Sequence, residues 1–540
     1  MSSYSIAEES RKILFEKLLS DPTLNIPKSI RDAANKVKFV GGRSTPFVPT
    51  PFKMTESSTS LHALVAAAAS AIASDRYKID LQDIEVNSDL ATLFLESVGL
   101  ISIDGKPAVM DPGMQKELAK IDLHDMSSQI RRCVTLVYQT KDNRWYQLHG
   151  SMNATPTMDM MGVENDTSLT REQAIEIYKD KVLQWNSAEI EKTANEKYRQ
   201  AGVVCYTPEE FFSSEHGKIM GAEPLWTVRP VEGARKAWPA ASTTEGYKPL
   251  QGIRVIDFSR VIAAPVISKI LAFLGADVIR ISFSGNPDYP GTMPDLQTGK
   301  RDVDINIKTP EGIATFKELL KDADVLVDGF RPGAFAKLGF SSASMREINP
   351  SLIYVRENCY GFKGPLSSRS GWQQISDCLV GLSYTQGKFL GLEEAVVPLF
   401  PNSDYQTGLI GAAAVLQALL QRVNEDRTFD IDVSLTQYNI WFYRLGLYDE
   451  VQQQALLEQD PDFAPRSKDD MGDLVAKTHA SLTKVRKDFV KPEYYWDMSG
   501  KDWGLDKGMK VLKPAFLFSQ TRLGYNEPSG RRGRSEPKWL

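Results

Sequence analysis

The segment from Ile253 to Ile281 constrains the fold more than any other stretch of this chain. Ile253-Arg254-Val255-Ile256-Asp257-Phe258 is a run of the kind buried on both faces of a sheet. Pro265 to Leu274 has helical spacing, Gly275 stops it, and Asp277-Val278-Ile279-Arg280-Ile281 is a second strand. Strands joined through one helix lie parallel, because the helix carries the chain back along the sheet. Val303 to Ile307, Val325-Leu326-Val327 and Leu352-Ile353-Tyr354-Val355 repeat the theme, and Thr309-Pro310-Glu311-Gly312 starts another helix between them. The pattern predicts an α/β fold built on a doubly wound, parallel, Rossmann-like sheet. No GxGxxG follows the first strand. Ser259-Arg260-Val261-Ile262-Ala263-Ala264-Pro265 stands there, so a nicotinamide or flavin dinucleotide is not expected.

Upstream of this unit the pattern differs. Residues 1–60 read as an arm or a packing segment with a short helix near Ile13 to Leu19, and residues 61–229 as a helical segment and a smaller mixed α/β domain. In that domain Val134 to Tyr138 and Trp145 to Leu148 flank a polar turn as a hairpin. Ser187 is a candidate helix cap, although Ile190 leaves its capping box incomplete. Thr207-Pro208-Glu209-Glu210 starts a further helix, and the Pro-, Gly- and Ser-rich stretch 230–249 is the linker. Residues 250–450 then form the sheet domain and 451–540 a closing segment.

With 42% hydrophobic and 25% charged residues among 540, the composition is that of an ordinary globular protein, and disorder throughout is excluded. The net charge of -5 comes from mixed charges, and only the short group Arg531, Arg532, Arg534 is basic, so nucleic acid is not an expected partner. Cys133, Cys205, Cys359 and Cys378 lie far apart without CxxC spacing, which points to neither a metal site nor a disulfide framework. Met1 to Lys12 is polar, and no apolar run approaches the ~20 residues that span a bilayer. The expectation is an intracellular protein without membrane association, cytoplasmic, with a mitochondrial or peroxisomal site left open.

Phe400-Pro401-Asn402-Ser403-Asp404-Tyr405-Gln406-Thr407-Gly408 is a polar elbow running into the alanine-rich segment Leu409 to Arg422. Asp404 at such a helix start either satisfies free amides or does chemistry beside loops at the carboxyl ends of strands. Gly411 to Leu435 also resembles Leu64 to Ser88. Each holds an alanine-rich helix and then an acidic-hydrophobic strand, Asp430-Ile431-Asp432-Val433 against Asp83-Ile84-Glu85-Val86. In that alignment Ser57 and Ser58 face Asp404, with Glu56 one residue away.

The stretches LQGIRVIDFSRVIAAP, LAFLGADVIRI, GKRDVDINIKTPEG, ADVLVDGFRPGAFAKLGF, NPSLIYVRENCYGFKGP and SDYQTGLIGAAAVLQALLQR together resemble the family III CoA-transferases, which include formyl-CoA transferase and α-methylacyl-CoA racemase. The resemblance covers about Leu250 to Leu445. Leu61 to about Glu215 resembles the later half of the family sequence, so the chain reads as rearranged and fused. Ala515-Phe516-Leu517-Phe518-Ser519 resembles the family's closing return to the large domain.

The resemblance implies a CoA-transferase that moves CoA between an acyl-CoA thioester and a carboxylic acid, through a thioester of CoA on Asp404. Asp is suited to this because its ordinary pKa of about 3.9 leaves it ionised at neutral pH without a base. Coenzyme A and acyl-CoA are then substrates, with no metal and no dinucleotide. For the CoA site the resemblance implies Val261, Ile262 and Ala263 after the first strand, Lys300 before the third, and Phe330 with Lys337 after the fourth. Phe283 stands where the family often has a basic residue near the adenine, Gly329 replaces its usual Asn, and no run of glycines matches its active-site lid. It further implies a homodimer. The alternatives are a racemase or a non-catalytic acyl-CoA binder. A racemase needs a histidine paired with the Asp, and His62, His124, His149, His216 and His479 all lie outside Leu250 to Leu445.

Overall fold

The computed structural model describes residues 4–244 and 246–540, so Met1 to Ser3 of the expected arm and Glu245 of the expected linker lie outside the described residues. Helix α1 (Ile6–Lys12), capped by Ser5, continues as a π-helix over Ile13–Leu19. Helix α2 (Lys28–Ala34) leads into strand β1 (Val37–Val40). Helix α3 (Met54–Tyr77) follows, then β2 (Ile84–Asn87) and α4 (Ser88–Leu93), whose first amides donate to the Asn87 side chain. Strands β1 and β2 pair in parallel, Val37 opposite Ile84. Leu14, Leu18 and Ile30 are buried against α3, so this stretch packs on the core through one face. The expected boundary at residue 60 falls inside α3.

The expected hairpin is β3 (Val137–Gln139) and β4 (Trp145–Leu148), with β5 (Gly202–Val204) antiparallel on the other side of β4. It has a core of its own around Tyr146, Met158 and Tyr178. Thr170 and Gln173 form a capping box on the helix Arg171–Val182. Ser187 caps nothing. It is the first residue of the helix Ser187–Lys192, and its hydroxyl donates to Asp142 at 2.7 Å. Strand β6 (Thr227–Val231) runs through the expected linker boundary at residue 230, and the linker beyond it holds neither helix nor strand among its described residues.

The second half then alternates: β7 (Arg254–Phe258), α5 (Ala263–Phe273), β8 (Asp277–Ser282), β9 (Lys300–Asp304), α6 (Pro310–Asp322), β10 (Val325–Asp328), α7 (Ser342–Ile348) and β11 (Ile353–Asn358). Helices α8 (Gln373–Val380) and α9 (Asn402–Arg422) follow, then β12 (Thr428–Ser434) and α10 (Leu435–Arg444). The third strand starts at Lys300 and not at Val303. The sheet order is β9-β8-β7-β10-β11-β12-β6, parallel except for the antiparallel edge strand β6. Side chains alternate across it. Val255, Val278, Val327 and Val355 share a core with α5 and α9, whereas Ile256, Ile279, Leu326 and Tyr354 share one with Phe316 of α6 and Met345 of α7. The sheet is thus doubly wound.

Glycine sets the distance between α5 and α9. A Cβ on Gly408 would collide with Val266 and lie 2.9 Å from the Ala263 carbonyl oxygen, and one on Gly411 would collide with Ile267. The start of α9 is held against the loop after β7 by this close approach.

Strands β13 (Tyr495–Ser499) and β14 (Gly508–Leu512) form a sheet with the hairpin Ser102–Ile103 and Lys106–Pro107 of the first half. Strand β15 (Phe516–Phe518) then pairs antiparallel with β2, Phe516 opposite Val86. The small sheet β1-β2-β15 repeats the arrangement of β11-β12-β6: a parallel pair flanked by an antiparallel strand that arrives from the other half of the chain. Helices α3 and α9 pack on each other between the two sheets, and α4 and α10 are capped alike by Asn87 and Ser434. The sequence repeat is therefore a structural one, with the halves interlocked through β6 and β15.

Candidate active site

Asp404 is the third residue of α9 and 9% exposed. Its carboxyl has no hydrogen-bond or ion-pair partner among the described residues. Burial, and then the charges of Glu357 and Asp377, push it well above the usual carboxylate range. Asp404 is expected to be ionised at the ordinary carboxylate value, but desolvation in this turn overrides that reference value.

The turn around it is pinned. Ser403 donates to Asp377 at 2.9 Å, and Asn439 donates to the same oxygen at 2.8 Å. Gln373 donates to the other Asp377 oxygen, and burial still pushes that carboxyl up to about 7. Asn402 donates to the Tyr438 hydroxyl at 2.8 Å, and Gln406 donates to Asn402 at 2.6 Å. From the first half of the chain, the Val98 amide and the Ser97 hydroxyl donate to the Tyr405 hydroxyl at 3.1 and 3.0 Å. Ser403, Asn402, Gln406 and Tyr405 are thereby tied into this network, whereas the Asp404 carboxyl has no such bond among the described residues.

Glu357, at the end of β11, was not singled out in the sequence. Its position alternates with Arg356, so it lies on the Val355 face of the sheet, which is the face that carries α9. It has no hydrogen-bond partner among the described residues, and burial with the charge of Asp328 raises it to about 8. Arg356, on the opposite face, pairs with Asp432 at 2.7 Å. The sequence signal was present, since a Glu two places beyond Val355 breaks an apolar face, but the partner it faces is fifty residues away.

A cleft of roughly 430 Å³ opens at the carboxyl ends of β7, β8, β9 and β10. Phe330 is in its wall, with its ring 4.6 Å from that of Phe258 and the Arg260 guanidinium 4.9 Å from its centre. Val261 has φ of 71°, a conformation that a β-branched side chain rarely adopts, and Ile262 and Ala263 lead directly into α5 beside Gly408. The loop of Val261, Ile262 and Ala263 and the start of α9 are therefore neighbours.

Two expected residues are placed elsewhere. Lys300 is fully buried in β9, where its ammonium donates to Asp257 and to the Pro265 carbonyl, each at 2.8 Å. Lys337 ends the short helix Ala334–Lys337 and is exposed, away from the cleft wall. Gly329 has a packing reason: a Cβ there would lie 2.8 Å from that of Ala264 and 2.9 Å from that of Ser259. Phe283 is in the cleft wall, and Arg532 reaches the same wall from the far end of the sequence.

Residues 149–151 of the first half lie over the start of α8. The His149 ring stacks on Trp372 at 5.6 Å, and the Trp372 indole donates to Ser151 at 3.3 Å. The fold thus brings His149 to the second half, but burial lowers it to about 4 and its Nδ1 accepts the Ser151 amide at 2.8 Å.

Matched by the starts of α3 and α9, Glu56 falls opposite Asp404; matched by the caps Asn87 and Ser434, Ser57 does. Glu56 is fully buried, and the hydroxyls of Tyr4 and Tyr448 donate to it at 2.8 and 2.7 Å. Among the described residues the first half has no counterpart of β7 to β10, the strands whose ends line the cleft in the second half. Among the described residues no cluster of His, Cys, Asp and Glu is arranged to hold a metal ion, and no helix is long and apolar enough to cross a membrane.

A family model described as CoA-transferase family III matches residues 250–469. The chain is 34% identical over 467 residues to the acetyl-coenzyme A transferase nodX of Hypoxylon pulicicidum, which covers 83% of this chain and 78% of that protein. It is 30% identical over 417 residues to an acyl-CoA transferase of Gibberella moniliformis, covering 74% and 72%. A solved CAIB/BAIF family protein from Brucella suis aligns with a TM-score of 0.40 at 18% identity, over 53% of this chain and 97% of that one. The chain belongs to the CoA-transferase family III and is a transferase that uses acyl-CoA as substrate.

Proposed function

We propose that the protein moves CoA from an acyl-CoA thioester to a carboxylic acid through Asp404. The observation that carries the reading is the carboxyl itself: nearly buried, unpaired, and set at the start of α9 beside the loop that follows β7. The Asp404 carboxylate attacks the thioester carbonyl carbon and expels CoA as its thiolate, leaving a mixed anhydride. The thiolate attacks the Asp404 carbonyl carbon, releasing the donor acid and leaving an aspartyl-CoA thioester. The acceptor carboxylate attacks that carbon in turn, and the thiolate then takes the acceptor acyl group from the new anhydride, which restores Asp404.

A carboxyl held well above the usual range must lose its proton before it can attack. Glu357 lies on the same sheet face, and after burial its charge is the largest influence that raises Asp404. The amides at the start of α9 and the positive end of its dipole favour negative charge at the reacting carbon's oxygen. Val261, Ile262, Ala263 and Phe330 border the path of the CoA moiety. Transfer is favoured over racemisation because the acceptor nitrogen of His149, Nδ1, is already engaged by the Ser151 amide.

Strands β6 and β15 cross between the two halves of one chain. The homodimer implied by resemblance is then not required to complete the site, and turnover per chain should not fall on dilution. The function is tested by exchange of CoA between labelled acyl-CoA and a panel of carboxylic acids. Full exchange by Asp404→Ala overturns the reading.

A further inference from the structure

The cleft at the strand ends contains a cation that comes from outside the sheet domain. Arg532 lies in the segment 527–540, which is fastened along the outer edge of the sheet. The Gly299 amide donates to the Glu527 carbonyl at 3.1 Å, the Gly533 amide to Asp302 at 2.7 Å, the Ser535 amide to the Asp302 carbonyl at 2.9 Å, and Arg301 to the Lys538 carbonyl at 2.5 Å. Trp539 donates to the Leu319 carbonyl at 3.0 Å. Arg532 is therefore positioned by the backbone fastening of its neighbours.

Its guanidinium is only partly satisfied. One terminal nitrogen donates to the carbonyls of Phe283 and Asn286 at 3.3 and 3.0 Å, while the buried Nε has no partner. The nearest carboxylate oxygen, on Asp288, is 3.8 Å away and is already taken by Arg280, which also holds Asp302 at 2.9 Å. Arg260 spends its charge on the Pro287 carbonyl and the face of Phe330, and Lys308 at the cleft rim is exposed without an ion-pair partner. The wall therefore presents Arg260, Arg532 and Lys308 in excess of its carboxylates, next to the rings of Phe258, Phe283 and Phe330. Planar apolar faces beside unmatched guanidinium groups fit an adenine carrying phosphates.

We propose that Arg532 binds a phosphate of the CoA nucleotide, so that the segment 527–540 is part of the substrate site. This rests on the reading that the cleft takes CoA. Fastening by Gly533 and Ser535 fixes the guanidinium without substrate, and ligand phosphate supplies the acceptor that its second terminal nitrogen lacks. A hydrogen bond to a charged group is lost in Arg532→Gln, which corresponds to a rise of about 10- to 100-fold in KM for acyl-CoA.

The test compares the wild type, Arg532→Gln, Arg532→Lys and the exposed neighbour Arg531→Gln on acyl-CoA, acyl-dephospho-CoA and an acyl-pantetheine thioester that has no nucleotide. Expected are a raised KM with little change in kcat for Arg532→Gln on acyl-CoA, partial recovery in Arg532→Lys, and no effect in Arg531→Gln. On acyl-pantetheine the variant and the wild type should match. Equal losses on acyl-pantetheine, or an unchanged KM for acyl-CoA, overturn the proposal. A penalty retained on dephospho-CoA assigns the contact to the diphosphate, and a penalty abolished there assigns it to the 3′-phosphate. A wild-type protein with no CoA-dependent turnover refutes the transferase reading instead.

Discussion

Replacing Lys300 separates two accounts of one residue. By its place in the sequence it is a CoA ligand; by its place in β9 it is half of a buried ion pair. Both side chains of the pair, Lys300 and Asp257, are fully buried. Burial pushes Asp257 up, but Lys300 and Arg280 outweigh this and hold it below its ordinary value. Lys300→Met keeps most of the stem's volume and removes the charge, so the cost is that of stranding Asp257. Breaking one partner of a buried pair costs ~3–5 kcal/mol. The lower end applies here because Asp257 keeps the hydroxyls of Ser259 and Ser268. About 3 kcal/mol in a cooperative unit of sheet-domain size lowers the melting temperature by roughly 6–12 °C. Thermal unfolding and KM for acyl-CoA, measured on the same preparation, decide the matter. The expected result is a lowered melting temperature with KM nearly unchanged, and the double variant Lys300→Met/Asp257→Asn should recover part of the loss. An unaltered melting temperature with a raised KM would refute the reasoning.

Three further outcomes follow from the site. Because the negative charge of Glu357 raises Asp404, Glu357→Gln should lower it and move the acidic limb of kcat/KM to lower pH; a limb that stays put would show that Glu357 does not act on the nucleophile. Glu56→Gln should retain turnover within about twofold, as the carboxyl is enclosed by Tyr4 and Tyr448, and loss of all turnover would give the first half a catalytic role. Gly408→Val must displace Val266 or the start of α9, which should cost ~1–3 kcal/mol and depress kcat, both read from unfolding and steady-state kinetics.

The parts legible in the sequence were those set by local pattern. The unit from β7 to β8 was readable because a fully buried strand, an apolar helix, its glycine stop and a second strand are contiguous. Asp404 was readable as the start of an alanine-rich helix. What escaped was long-range. Lys300 reads as a loop base only if the third strand begins at Val303; the strand begins at Lys300, and its ammonium is paired with the buried Asp257. Glu357 and Asp377 are unremarkable in a linear reading and gain meaning only when α9 is laid across the sheet. Arg532 looks like one of three basic residues in a polar stretch until that stretch is seen fastened to β9. The repeat was visible, but the two copies are not in one register throughout: the helix starts Met54 and Asn402 differ by one residue from the caps Asn87 and Ser434. Nor does a one-dimensional pattern show that β6 and β15 complete each other's sheets.

The most direct measurement is peptide mass spectrometry of the protein quenched during turnover with acyl-CoA, with and without hydroxylamine. The account predicts a CoA or acyl mass on the peptide containing Asp404, its conversion to a hydroxamate by hydroxylamine, and neither in Asp404→Asn. An adduct on another residue, or steady transfer in Asp404→Asn with its Asp404 peptide unmodified, would contradict it.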